Sequence, residues 1–450
     1  MKVPRIGRIK IPDRLRQNWR ARLRAQRRWW RRRGRGRAEA ELLFPAAGKG
    51  MVAVQTLTGD GMVAGPVSGT APRIAVLHAS SGSGHMAAAR ALAAAMAAEA
   101  PGATVREVDT LVFASRLFRD TYARSYNTMA ARAPALWGVL YRSWAGARVN
   151  RTTGPARLAM DRLNLRRLVR VLADEEADAV VCTHFLPVEV LSPRRGSGRL
   201  RVPLYCVITD FTAHPFWAFP HVDRYFVASE EVAAELNGHG VPRERIEVTG
   251  IPVDARFATP IGREAARGRA RLDPGRPAVL VMGGGAGVGP LAELAERLVG
   301  LPARPQVVVV CGSNARLRRE IEALPAVADG RVRALGFTRE IDVLLEACDL
   351  VVSKAGGLTC SEALIKRTPL VIFRPTPGQE VRNAEYLERG RAAVLADSID
   401  EVATGVTRWL SDPAALEVAR VACARLAHPQ AARDIAERVL AEVPRGARPH

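Results

Sequence analysis

The sequence predicts an α/β protein made of two doubly wound domains that face one cleft. Three observations carry this. At 450 residues the chain is too long for one ordinary core, so two domains of roughly 200 residues each are expected. Its short apolar runs are near-continuous in Val, Ile and Leu, as in strands buried on both faces of a parallel sheet. Those runs alternate with longer helical stretches, which is the pattern of right-handed βαβ crossovers.

In chain order, the basic arm comes first. Residues 1–37 hold 16 Lys or Arg and one acidic residue, Asp13, a formal +15 of the chain's +22. Trp19, Trp29 and Trp30 lie among these charges. Cations mixed with interfacial aromatics suit an anionic membrane surface. Nucleic acid, a solvated tail and a translation start at Met51 or Met62 are the other readings. We expect the membrane surface and no nucleic acid. Residues 38–72, rich in Gly, Ala, Thr and Pro without a period, read as a flexible linker.

From Arg73 the strand–helix alternation begins. The first series of runs is 73–79, 104–110, 179–184, 204–210, 224–229 and 246–250. A Pro- and Arg-containing segment, 251–276, follows. The second series is 278–284, 306–312, 331–337, 350–356, 369–373 and 392–396. The expected domains are therefore an arm and linker over 1–72, a first domain over 73–254, a second over 255–430, and a C-terminal helix and tail over 431–450. The last 40 residues look helical and should pack back on the body.

Composition narrows the class. Hydrophobic residues make up 48% and charged residues 25%, which is globular. The six cysteines (182, 206, 311, 348, 360 and 423) form no C-x-x-C pair and sit mostly in apolar runs, so buried thiols and a reducing cytosol are expected. No apolar run reaches about 18 residues, so no membrane-spanning helix is expected. No signal-peptide pattern opens the chain.

Ligands of doubly wound sheets bind beyond the carboxyl ends of the strands, and the unusual residues fall there. "SSGSGH" (80–85) links the first strand to an Ala-rich helix; free amides at a helix start favour an anion or a developing negative charge. A tight βα turn is the plainer reading. Asp210 ends a strand, and His214 and Trp217 follow in its loop; a carboxylate and an imidazole there can orient a nucleophile, or serve only as caps. "GGGAG" (283–287) after a buried strand makes a backbone cradle of diphosphate size, and without G-K-[ST] it is not a P-loop. In "SKAGGLTCSEAL" (353–364), Glu362 follows Gly356 and Gly357 at a helix start, where it can accept two hydroxyls or answer the helix dipole. Gln379, Glu380 and Asn383 open another helix and suit a polyhydroxylated ligand, or a capping cluster. No D-x-D pair, H-E-x-x-H or other metal cluster appears.

The ordered set "SSGSGHMAAARAL", "VVCTHFLP", "VITDFTAHPFW", "DRYFVASEEVAAEL", "VTGIPV", "GGGAGVGP", "SKAGGLTCSEAL" and "PTPGQEVRN" resembles the monogalactosyldiacylglycerol synthases and processive diacylglycerol glucosyltransferases of glycosyltransferase family 28. The resemblance covers about residues 73–430. It implies a GT-B fold, two Rossmann-like domains facing a cleft. It also implies a UDP-sugar donor, either UDP-glucose or UDP-galactose, and inverting transfer to a diacylglycerol-type lipid hydroxyl. No cofactor and no metal are implied.

Carried over by motif, His85 would be the general base, with Ser81, Gly82 and Gly84 in the acceptor loop and Asp210 and His214 in support. Gly283, Gly284, Gly285, Ala286 and Gly287 would cradle the diphosphate. Cys311 and Phe337 would lie near the nucleoside, Lys354, Gly356 and Gly357 would line the donor site, and Glu362 would hold the ribose. Gln379, Glu380 and Asn383 would read the sugar. Relatives often carry Arg directly after "G-[IN]-P-V"; here Asp254 stands there, and Arg256 two residues on is the candidate phosphate contact. Segment 111–170, aromatic among arginines, corresponds to the region that contacts membrane and lipid in this family. Ordinary helix packing is the alternative.

The reading that follows is a cytoplasmic enzyme peripheral to the inner face of the plasma membrane, active in glycolipid synthesis. A UDP-sugar epimerase of the same fold, a transferase acting on a polyprenol-linked acceptor, and a non-catalytic UDP-sugar-binding or scaffold protein are the rivals.

Overall fold

The computed structural model describes residues 71–80, 83–115, 165–174 and 177–443, together with the backbone of three short strands nearer the N-terminus. The basic arm, Ser81, Gly82 and segment 116–164 lie outside the described residues. The chain divides into two compact units, Met1–Val54 and Gln55–His450. In the first, β1 (Phe44–Ala46) pairs antiparallel with β2 (Gly50–Val52). All remaining elements belong to the second.

Two parallel sheets form the frame. The first contains β4 (Arg73–His78), β5 (Thr104–Asp109), β6 (Ala179–Cys182), β7 (Leu204–Val207), β8 (Arg224–Val227) and β9 (Ile246–Val248), in the order β5-β4-β6-β7-β8-β9. A two-residue strand, β3 (Thr56–Leu57), adds antiparallel to the β5 edge. The second contains β10 (Ala278–Met282), β11 (Gln306–Val310), β12 (Val332–Leu335), β13 (Leu350–Ser353), β14 (Leu370–Phe373) and β15 (Ala393–Ala396), in the order β12-β11-β10-β13-β14-β15. Every sequence-predicted run from 73 onward contains one of these strands. The expected linker 38–72 differs: it holds β1, β2 and β3.

The apolar runs are buried on both faces, as their composition requires. Val180, Val181, Cys182, Leu204, Tyr205, Cys206, Leu280 and Val281 are all inaccessible to solvent. Each such side chain contributes about 1.5–3 kcal/mol of transfer free energy. All six cysteines are free and buried. Burial raises the thiol pKa of each, so the reactive thiolate is disfavoured.

The Ala-rich segment after β4 forms helix Ser83–Glu99. Alanine is the best helix former, and its small side chain lets the helix sit close on the sheet: Ala88, Ala89 and Ala93 are fully buried. The C-terminal residues do pack back. Helix Ala431–Glu442 lies beside Ser83–Glu99 on the first sheet, where Ile435, Ala436 and Val439 share a core with Ile74, Val76, Tyr205 and Phe226. Arg224 pairs with Glu442, and Arg438 with Glu247 at 3.0 Å, along the same contact.

Candidate active site

Each sheet reverses its strand order once, between β4 and β6 in the first and between β10 and β13 in the second. Loops leaving those strands at their carboxyl ends form the two sides of a single site. Their close approach places Leu358, in helix Gly357–Ile365 of the second lobe, within ordinary contact of a methyl group at Gly84.

On the first lobe, helix Ser83–Glu99 starts two residues before His85, which puts this histidine in the first turn. The imidazole Nδ1 lies 2.8 Å from the carbonyl oxygen of Thr183 and 2.9 Å from Thr209 Oγ1. A carbonyl only accepts, so Nδ1 carries the proton and Nε2 holds the lone pair. Thr183 Oγ1 donates in turn to the His85 carbonyl at 2.8 Å. Burial lowers the imidazole pKa to about 4; the Thr183 carbonyl opposes the shift and His78 adds to it. His85 is therefore neutral at pH 7. His184 stands edge-on to His85 with ring centroids 4.6 Å apart, and burial also holds it neutral. Its Nδ1 accepts the Leu186 N–H at 3.1 Å and caps the helix that follows. Trp217 closes the group, 6.5 Å from both rings.

Asp210 lies one residue beyond Thr209 and accepts a hydrogen bond from Asn383 Nδ2 at 3.0 Å. Burial raises its pKa to about 6, opposed by Asn383 and assisted by the charge of Glu380. His214 has a capping geometry: its Nδ1 accepts the Phe216 N–H at 3.2 Å and opens the turn Pro215–Trp217.

On the second lobe, the loop after β10 is locked by glycine. Gly284 and Gly287 adopt φ of +72° and +57°. A Cβ at Gly287 would fall 2.1 Å from the Cys311 carbonyl oxygen, and one at Gly312 would fall 2.3 Å from that of Gly285. Much of this glycine content thus serves contact between the two loops, where the sequence suggests only approach to a ligand. Gly287 and Val288 donate their amides back to Gly284 and Gly283. The amides of Gly284, Gly285 and Ala286 bond to no backbone carbonyl among the described residues. The helix that follows the cradle starts at Leu291. Ser83 Oγ, across the cleft, is 3.4 Å from where a Cβ on Gly285 would lie.

Cys311 is fully buried, whereas Phe337, at the end of β12, is 75% exposed. Lys354 and Gly356 follow β13. Gly357 approaches the first lobe so closely that a Cβ there would sit 2.0 Å from the Thr209 carbonyl oxygen. Burial raises the Glu362 pKa to about 8; Arg256 opposes this, and Asp254 and Asp342 add to it. Arg256 donates to the Arg339 carbonyl at 2.9 Å and stands 3.7 Å from Asp254. Its charge thus acts at the Glu362 end of the site. Glu380 accepts the Thr376 N–H at 2.6 Å at the start of helix Gln379–Arg389. Asn383, on the same helix, is 0% exposed, and its amide is engaged by protein groups alone. The structure gives it a different place from that of a sugar-reading residue.

Thr183, Thr209 and His184 complete the site without having been singled out from sequence. Their signal is position: each lies in the last residues of an apolar run, just past the strand end where the cleft opens.

Among the described residues, no helix is long and apolar enough to cross a membrane, and no cluster of His, Cys, Asp or Glu could hold a metal ion.

Residues 85–253 match the family model for monogalactosyldiacylglycerol (MGDG) synthase, and residues 278–438 match the glycosyltransferase family 28 C-terminal domain. The processive diacylglycerol beta-glucosyltransferase of Bacillus cereus (strain AH187) is 33% identical over 278 residues, 62% of this chain and 71% of that protein. Among solved structures, MurG of Acinetobacter baumannii superposes with a TM-score of 0.54 at 16% identity, covering 82% of this chain and 99% of the other. A UDP-GlcNAc 2-epimerase from Neisseria meningitidis, bound to UDP-GlcNAc, gives 0.51 at 12% identity, covering 82% and 100%. At such identities these two show a shared fold alone.

Proposed function

The chain belongs to the monogalactosyldiacylglycerol synthase and processive diacylglycerol glucosyltransferase family of glycosyltransferase family 28, and from that premise we propose that it moves a hexose from UDP-glucose or UDP-galactose to a diacylglycerol-type hydroxyl, with inversion. The observation that carries the mechanism is the His85–Thr183 hydrogen bond, which leaves Nε2 as the basic nitrogen of a ring held in the interlobe cleft.

In this reading the lipid O–H gives its proton to His85 Nε2 as its oxygen attacks the anomeric carbon. The bond from that carbon to the diphosphate breaks on the opposite face, and UDP departs. The amides of Gly284, Gly285 and Ala286, the start of helix Leu291–Val299 and Lys354 meet its charge. Phe337 and Glu362 face the nucleoside and ribose, and Gln379 and Glu380 face the sugar. A pKa of about 4 makes His85 a weak base in the empty site. An incoming diphosphate favours the imidazolium and draws the pKa toward neutrality, where a general base works best.

The enzyme acts from the cytoplasmic face as a peripheral protein, with the basic arm toward anionic lipid and no cofactor beyond the donor substrate. The test is transfer of labelled sugar from either UDP-hexose to diacylglycerol in anionic vesicles. A folded protein that labels no lipid would refute the proposal. Conversion of the UDP-sugar to an epimer without acceptor would identify the rival activity.

A further inference from the structure

We propose that Asn383 is a positioning residue for the transfer reaction, tying the helix that meets the donor sugar to the loop that orients the base. The proposal rests on the transferase reading above.

The side chain of Asn383 makes three hydrogen bonds. Its Oδ1 accepts the Phe211 N–H at 2.8 Å, and its Nδ2 donates to Asp210 Oδ1 at 3.0 Å and to the Ala355 carbonyl at 2.9 Å. A backbone amide must meet oxygen, while a carbonyl and a carboxylate must meet nitrogen. All three partners therefore agree on one orientation of the amide. Both N–H groups are used, and full burial leaves no approach for a sugar hydroxyl.

The neighbouring residue extends the grip. Arg382 pairs with Glu235 of the first lobe, and Glu235 accepts the Thr212 hydroxyl at 2.9 Å and the Ala213 N–H at 2.8 Å. Two adjacent residues of one helix thereby hold residues 210–213, directly or through one carboxylate. One turn further on, Tyr386 stacks on Phe211 with centroids 4.9 Å apart. The held stretch begins immediately after Thr209, whose hydroxyl touches His85 Nδ1. Gln379 and Glu380 start the same helix. A continuous path of covalent and hydrogen bonds thus runs from the sugar-facing helix start to the base.

The experiment compares hexose transfer to diacylglycerol in anionic vesicles, from UDP-glucose and UDP-galactose, by wild type and three variants. UDP affinity and thermal unfolding are measured alongside. Asn383→Ala should lower kcat about 10²-fold, the scale of a ~1 Å misplacement of catalytic groups. Its donor KM and UDP affinity should stay within about threefold, and donor hydrolysis should rise relative to transfer. Glu235→Gln, which weakens one arm of the grip at a half-buried position, should lower kcat about fivefold with KM unchanged, the worth of roughly one hydrogen bond. It serves where Asn383→Ala does not fold. Arg389→Gln breaks an exposed interlobe pair with Glu231 that does not touch the loop, and it should leave kcat within about twofold.

A tenfold rise in donor KM with kcat preserved in Asn383→Ala would make Asn383 a sugar reader and overturn the proposal. So would an Arg389→Gln loss equal to that of Glu235→Gln, which would mean general adhesion between lobes. Wild-type turnover with an unaffected Asn383→Ala kcat sinks the positioning role alone. A wild type that labels no lipid from either donor overturns the transferase reading as well.

Discussion

Gly357→Ala adds one methyl group at the tightest approach between the lobes. The added carbon would lie 2.0 Å from the Thr209 carbonyl oxygen, 3.0 Å from its carbon and 3.4 Å from Asp210 Cα. A relaxed C···O contact needs about 3.3 Å, so loop and helix must separate by about 1 Å. Neither neighbour is a flexible side-chain tip that could swing away; both are backbone. The expected cost is about 1–3 kcal/mol of overpacking. That exceeds the ~1 kcal/mol that Ala gains over Gly within a helix. Because Thr209 also touches His85, the same displacement should lower kcat about 10²-fold. Urea unfolding and steady-state transfer would measure the two effects. Gly356→Ala is the internal control for stability, since a Cβ there meets nothing within 4 Å and φ is −69°. Because Gly356 is the N-cap of that helix, where Ala is less favoured than Gly, the change should cost no more than about 1 kcal/mol. If Gly357→Ala unfolds at the same urea concentration as Gly356→Ala with undiminished kcat, steric closure does not set the site geometry.

Four other outcomes follow from the same geometry. His85→Ala should lose about 10²–10⁴-fold in kcat. In the wild type, kcat/KM for the donor should fall first as pH drops through about 8, where Glu362 loses the charge that accepts the ribose hydroxyls, and again near pH 4, where protonation of His85 removes the base, while the His85 limb of kcat should move to higher pH once the donor diphosphate is bound. UDP should bind more tightly as pH rises through about 8 and release protons on binding, because ribose hydroxyls donate to the charged form of Glu362; calorimetry in buffers of different ionisation enthalpy reads this, and pH-independent affinity would remove Glu362 from the ribose. Arg304 and Arg391 hold left-handed φ of 46° and 62°, so Arg304→Gly and Arg391→Gly should each raise stability in urea by about 0.5–1 kcal/mol.

The frame of this molecule is legible in its sequence because parallel strands buried on two faces must be apolar throughout. The same rule blurs their ends. The runs 179–184, 204–210 and 350–356 extend past the strands into Thr183, His184, Thr209 and Ala355, which are themselves almost fully buried. Those overrun residues are where the site begins, so burial conceals the boundary between scaffold and cleft. His85 was visible because glycine and serine isolate it. The position of Asn383 was not visible, because a polar residue near a helix start has the same appearance whether it meets a sugar or a loop 172 residues away in sequence. The glycines at 283–287 carry a similar ambiguity: close approach is written in the sequence, but its object, here largely the Cys311–Gly312 backbone, is not.

The docking of helix Ala431–Glu442 against β4, β7 and β8 affects how this protein is made. One face of the first sheet is completed by residues that the ribosome adds long after its strands. Ile74, Val76, Tyr205 and Phe226 are synthesised early and wait for Ile435, Ala436 and Val439. At about 5–20 residues per second, translation from Phe226 to Val439 takes roughly 10–40 s. During that interval helix Ser83–Glu99 covers part of this sheet face, and the part that helix Ala431–Glu442 fills stays bare. Synthesis of this protein should therefore lean on chaperones, and early termination before residue 431 should produce aggregating fragments rather than a free-standing first lobe.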